Sequence, residues 1–94
     1  MVAGAIVLAA PAHATTDNEN QFIRDVTADT TIPVVDSNTR PLIGLGHAVC
    51  HSLNQGHDRT SIAGVIYADA DRNGLSMTLS DAQAIVNDAV KDLC

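Results

Sequence analysis

The chain has few aromatic side chains and few basic ones. Its 94 residues include one Tyr, one Phe and no Trp, and 5 Lys plus Arg stand against 11 Asp plus Glu. A formal net charge of -6 supplies no basic patch to displace counterions, so nucleic acid is not an expected partner. The acidic balance also disfavours anionic membrane surfaces. The length favours a single domain.

The sequence also lacks an apolar run of the ~20 residues that a membrane-spanning helix needs. Its first run, Val2 to Ala10, is followed by Pro11, by a small-x-small triplet at residues 12–14 (Ala-His-Ala) and then by polar residues. This order is typical of the apolar region and cleavage site of a secretory signal peptide. We therefore expect a signal peptide over 1–14, truncated at its N-terminus because a basic region is missing, and one domain over 15–94. The mature protein is expected to be secreted, extracellular or in the cell envelope, without stable membrane insertion.

Cysteine is scarce as well, since the chain contains only Cys50 and Cys94. An even number of cysteines in an exported protein predicts a disulfide. The mature chain is close to the size at which one hydrophobic core is only marginally sufficient, and it has almost no aromatic rings to enlarge that core. The predicted disulfide closes a long loop, for which the chain-entropy model gives a stabilisation of roughly 4 kcal/mol.

Apolar spacing and capping residues predict two helices in the first half of the domain. The first covers residues 19–28, with Asp17 or Asn18 as its cap. The second follows residues 37–39, carries a proline near its first turn, and runs to about Asn54, where Gly56 is a suitable stop.

Two further helices are predicted in the second half. The third begins near residues 58–60 and turns Ile62, Val65 and Ile66 inward. The fourth begins at Thr78, which forms a capping-box variant with Asp81. Its inward stripe consists of Ala82, Ile85, Val86, Ala89 and Leu93. The expected fold is therefore all-α, a small bundle of about four short helices stapled by one disulfide.

Three histidines and a cysteine lie within residues 46–58, and this density raises the question of a metal site. His47 and His51 have the i, i+4 spacing that can bind a divalent metal on a helix. On a helical wheel they face away from the apolar stripe, and no third ligand is obvious beyond His57. We expect a solvated polar face here and keep metal binding as the alternative.

A second candidate metal site is the acidic turn within residues 69–80. Asp69, Asp71 and Asn73 occupy the first, third and fifth positions of a calcium loop, and a glycine follows at the sixth. Ser80 stands at the twelfth position, where such a loop needs a bidentate Glu. Because Asp, Asn and Gly also favour ordinary turns, we expect a plain acidic turn, with calcium binding as the alternative.

A cysteine–histidine nucleophile is not expected. Cys50 and His51 are adjacent on a helix, where neighbouring side chains diverge, and a disulfide-bonded sulfur provides no thiolate. The prediction is a protein with no catalytic residues, no cofactor and no enzymatic activity.

The stretch LIGLGHAVCHSLNQG at 42–56, an amphipathic helix after it, and the ending AQAIVNDAVKDLC resemble the mycobacterial exported family labelled domain of unknown function 732. The resemblance covers about Phe22 to Cys94. Leu93 departs from it, since the family often has an aromatic before its last cysteine, and the turn over residues 69–77 is longer than usual. The resemblance implies a small secreted helical bundle with its two cysteines joined, and no established activity.

The expected function is therefore binding or interaction, with an unknown protein or an apolar small molecule as partner. The alternative is metal binding, by calcium at the acidic turn or by a divalent metal at His47 and His51.

Overall fold

Four α-helices make up the described part of the chain, which is residues 15–72 and 76–94 of a computed structural model. They are α1 (Asp17–Asp29), α2 (Asp36–Asn54), α3 (Arg59–Arg72) and α4 (Leu79–Asp92). No strand occurs within these residues, so the predicted all-α class is confirmed. The expected signal peptide lies outside the described residues.

The N-terminus of α1 is capped by Thr16, and the prediction of Asp17 or Asn18 was wrong. The Thr16 hydroxyl accepts a hydrogen bond from the Glu19 N–H at 3.1 Å, and the Glu19 carboxylate accepts one from the Thr16 N–H at 2.8 Å. This reciprocal pair satisfies two backbone N–H groups at once. The Thr-x-x-Glu pattern that produces it is visible in the sequence.

The second helix begins at Asp36, slightly earlier than predicted. The Asn38 side chain explains the early start, because it accepts a hydrogen bond from the Val35 N–H and donates one to the Pro33 carbonyl, both at 2.9 Å. The helix ends as predicted, with Gly56 in the left-handed region at φ 96°. A glycine adopts that conformation without the steric cost that a side chain brings.

The core is built around α4, which packs against all three other helices. The predicted capping box is present, since the Thr78 hydroxyl accepts from the Asp81 N–H at 3.0 Å and Asp81 accepts from the Thr78 N–H at 3.1 Å. The predicted stripe is buried and contacts apolar residues from every other helix. Its buried members are Ala82, Ile85, Val86 and Ala89, and Leu93 packs against them from the end of the helix.

The inward face of α3 was predicted correctly at Ile62 and Ile66, which are buried, and wrongly at Val65, which is 60% exposed. The reason lies in how α3 packs against its neighbours in the bundle. Helices α2 and α3 contact each other less than any other packed pair, so nothing from α2 covers Val65. The gap between these two helices forms the groove described below.

Candidate functional site

A disulfide joins α2 to the end of α4, as predicted. Cys50 is bonded to Cys94 across a Cα–Cα distance of 5.4 Å, and the chain has no free cysteine. The bond cross-links two helices that already pack together, while α1 and α3 are held by non-covalent contacts. With both sulfurs oxidised, no thiolate is available as a nucleophile.

His47 and His51 are exposed on α2, which confirms the predicted outward face. The sequence reasoning missed the partner of His47, whose Nε2 lies 2.6 Å from a carboxylate oxygen of Glu19 on α1. The backbone hydrogen bond from Thr16, followed by the bond with His47, holds the pKa of Glu19 below its ordinary value. This pair therefore fastens α1 to α2 and is a structural contact.

The histidine pair does not acquire a third ligand. Within residues 15–72 and 76–94, no group of three or more His, Cys, Asp or Glu side chains is arranged to hold a metal ion. His57, the suggested third ligand, lies beyond the end of α2, and its N–H donates to the Ser52 carbonyl. The structure gives no support to a metal site on this face.

The acidic turn is not a calcium loop in the residues that the structure describes. Asp69 and Asp71 lie within α3, which extends to Arg72, and Asp69 forms an ion pair with Arg72 at 3.5 Å. Two residues apart on a helix, these carboxylates point to different sides. The fifth-position candidate, Asn73, lies outside the described residues.

Asp81, which follows the incomplete twelfth position, has a structural role instead. It is buried and accepts hydrogen bonds from the Thr31 N–H at 3.0 Å, the Thr31 hydroxyl at 2.7 Å and the Thr78 N–H. Burial raises the pKa of this carboxyl, and the hydrogen bonds from Thr31 and Thr78 together outweigh that effect and lower it. Asp81 thus connects the α1–α2 loop to the start of α4.

Two adjoining cavities that share Pro41, Leu45 and Met77 form an apolar groove. One cavity, of about 330 Å³, lies between α2 and α3 and is also lined by Val65 and Ile66. The other, of about 210 Å³, lies against the start of α2. We refer to both together as the apolar groove.

Polar groups occur at few points of the apolar groove. Ser52 and Asp69 contribute to the larger cavity, and Asn38 and Ser76 contribute to the smaller one. A mostly apolar recess with a few polar groups is the usual form of a small-molecule site. The sequence pattern could not reveal this groove, because its lining comes from two helices, from Ile32 in the α1–α2 loop and from the segment before α4.

None of the described helices is long and apolar enough to span a membrane.

Residues 16–94 match the family model described as "Protein of unknown function (DUF732)". The chain belongs to the DUF732 family. The match confirms the family resemblance predicted from the sequence, and it covers all four helices and both cysteines of the DUF732 domain. No curated protein and no solved structure matches the chain.

Proposed function

We propose that this DUF732 protein is an exported, non-enzymatic binding module that holds a neutral or cationic apolar molecule in the apolar groove. The observation that carries the proposal is the recess left where α2 and α3 diverge, with Val65 exposed on its wall. Covering an apolar surface of this kind with an apolar ligand is favourable, because it removes apolar area from water.

The size of the groove limits the ligand class. The larger cavity, at about 330 Å³, is at the lower end of the range of about 300–1,000 Å³ found for small-molecule sites. The adjoining cavity extends it past Leu45 and Met77. This shape suits a compact ring system or a short acyl chain, with one end near the polar groups.

Charge decides between ligand types. The formal net charge of the chain is -6, and Asp69 lies on the wall of the larger cavity. A carboxylate or sulfonate headgroup placed there is disfavoured by the net negative charge of the chain, which the ion pair of Asp69 with Arg72 reduces only locally, whereas a neutral or amine-bearing molecule is not.

Binding is tested with the neutral fluorescent probe N-phenyl-1-naphthylamine. We expect its emission to rise on addition of the disulfide-bonded protein, and we expect Leu45→Trp to weaken binding at least about tenfold because the larger ring fills both cavities. The matched control is Leu79→Trp, which makes the same replacement at an exposed position that lines neither cavity.

The proposed site is wrong if the wild-type protein leaves the probe emission unchanged, or if Leu45→Trp and Leu79→Trp bind it equally well. Circular dichroism of each variant verifies that the helices are retained. Failure of the wild type to bind would favour the other partner class expected from the sequence, a protein.

The exported location is a separate part of the proposal. It is supported by the order of apolar, small and polar residues over 1–16, and a disulfide is consistent with an oxidising compartment. Mycobacterial origin stays a prediction from the resemblance. We expect protein recovered from the medium of an expressing culture to begin at Thr15, as N-terminal sequencing would show. Recovery only from the cytoplasm, with residues 1–14 retained, would contradict export.

The non-enzymatic part of the proposal is supported by the oxidation of both sulfurs, which removes the one nucleophile that the sequence suggested. The described residues give no support to the metal-binding alternative, which is therefore not proposed again.

A further inference from the structure

Four aspartates meet where the C-terminal half of α1 packs against α4. Asp25 and Asp29 are one turn apart on α1, and Asp88 and Asp92 are one turn apart on α4. The two helices form one of the most extensive contacts in the bundle. Four carboxyl groups at one helix–helix contact cannot all be ionised without strong mutual repulsion.

Burial of Asp88 makes the cluster unusual; Asp25 and Asp92 are half-buried and Asp29 is exposed. Asp88 is 5% exposed, and the Oδ2 atoms of Asp25, Asp88 and Asp92 are buried without a hydrogen bond from the described part of the chain. A buried carboxylate oxygen without a donor is costly. A proton shared between neighbouring carboxyl groups can supply the missing donor, because a protonated carboxyl donates one hydrogen bond.

The basic groups around the cluster do not neutralise it. Lys91 forms an ion pair with Asp25 at 3.2 Å, and the positive charge of Arg24 acts on Asp92. From α3, Arg59 donates to Asn87 at 3.2 Å. On α2, His47 pairs with Glu19, and Cys50 is held in the disulfide.

We propose that Asp25, Asp29, Asp88 and Asp92 form a proton-dependent clasp that fastens α1 to α4 under acidic conditions and loosens as the pH rises to neutrality. In the closed clasp, protonated Asp88 donates to Asp29 and protonated Asp92 donates to Asp25. The inference does not depend on ligand binding in the apolar groove.

The direction of the pKa shifts agrees with this geometry. Burial, followed by the hydrogen bond and charge of Asp29 and the charges of Asp25 and Asp92, raises the pKa of Asp88 to about 7. Burial and the contact with Asp25 also raise the pKa of Asp92. The hydrogen bond from Asp92 and the one from Lys91 lower the pKa of Asp25, which therefore keeps its charge.

The sign of the stability effect follows from proton linkage. The ordinary pKa of Asp88 is 3.8, so between that value and about 7 the folded state binds a proton that the unfolded chain has released. The stability contributed by this group is fully present below pH 3.8 and is lost as the pH rises to about 7. The lowered pKa values of Glu19 and Asp81 have the opposite effect on stability. The stability that these two carboxylates contribute is lost as the pH falls through their pKa values.

The helix that responds to the clasp is α1. The disulfide ties α2 to the end of α4 and leaves α1 outside the loop that it closes. When the aspartates of the clasp lose their protons, their mutual repulsion weakens the packing of α1 against α4. Its buried side chains Phe22 and Val26 are the apolar surface that its release would expose.

The test compares wild type with Asp88→Asn, whose amide can donate to Asp29 at every pH. At about pH 8 we expect Asp88→Asn to raise the Tm by at least about 5 °C, and at about pH 5 we expect the difference to shrink. The control is Asp71→Asn, which removes an equal charge at an exposed position of α3 and should give no such pH-dependent difference.

Two measurements on the unmodified protein keep the test independent of the variant. Carbon-13 NMR of the carboxyl groups should show Asp88 titrating near neutrality, and amide exchange in α1 should accelerate more than in α3 between about pH 5 and pH 8, after correction for intrinsic rates.

The proposal is overturned if all four carboxyl groups titrate below about pH 5, or if the Tm difference does not vary with pH. It is also overturned if calcium, but not sodium chloride of equal ionic strength, restores stability at about pH 8, because a cation and not a proton would then be the missing partner.

Discussion

Removal of the Cys50–Cys94 disulfide is expected to lower the free energy of unfolding by about 4 kcal/mol. The two cysteines are 44 residues apart, and the cross-link removes the closure entropy of that loop from the unfolded chain. Domains of this class have a total stability of about 5–15 kcal/mol, so the loss is a large part of it.

The structure explains why this bond matters beyond chain entropy. It holds the C-terminal half of α2 against the end of α4, and α2 receives little additional support from α3. The core also depends on a single Phe and on aliphatic side chains. In a reduced protein α2 is held only by its non-covalent packing, mainly against α4 and α1.

The measurement is urea unfolding of wild type with and without reductant, beside the double variant Cys50→Ala/Cys94→Ala. Reduced wild type and the double variant should unfold at similar, lower urea concentrations, and reductant should not affect the double variant. An unchanged wild-type midpoint in reductant, with free thiols demonstrated by mass spectrometry, would show that the bond contributes little.

Gly46→Ala is expected to destabilise the fold by about 1–2 kcal/mol, although alanine is the better helix former. A Cβ at this position would lie 2.5 Å from Leu93 Cδ1 and 2.9 Å from Phe22 Cζ. The Leu93 methyl group is able to move, but the Phe22 ring is fully buried and has no space to retreat. Gly46 is therefore needed for the close approach of α1 and α4 to α2.

The control lies two residues earlier on the same helix. A Cβ at Gly44 has no neighbour within 4 Å, so Gly44→Ala is expected to stabilise the protein by up to about 1 kcal/mol. Opposite signs at the two glycines, measured by urea unfolding at one pH, support the packing argument. Stabilisation by both substitutions would refute it.

Local signals predicted most of the helix framework. The capping box at Thr78 and Asp81, the stop at Gly56 and the inward stripe of α4 each depend on residues within a few positions of one another. The true cap of α1 is also readable, since Thr16 and Glu19 form the standard capping-box pattern; Asp17 and Asn18 are favourable cap residues too, and residue type alone does not choose among the three.

Less of the candidate site could be predicted from the sequence. Histidine spacing predicted the outward face of α2 correctly, but nothing near His47 indicates Glu19 as its partner. Helical spacing placed Val65 inward, and the structure exposes it because α2 diverges from α3. Periodicity identifies the apolar side of a helix and does not show which part of that side another helix covers.

The sequence by itself determined the helical class, the family resemblance and the pairing of the two cysteines, because caps, periodicity and cysteine number are properties of short segments or of composition. Only the tertiary structure decided where the apolar groove opens, that Asp81 holds Thr31, and that four aspartates meet between α1 and α4. These features join residues far apart in the chain, and their positions depend on how small residues such as Gly46 let whole helices approach one another.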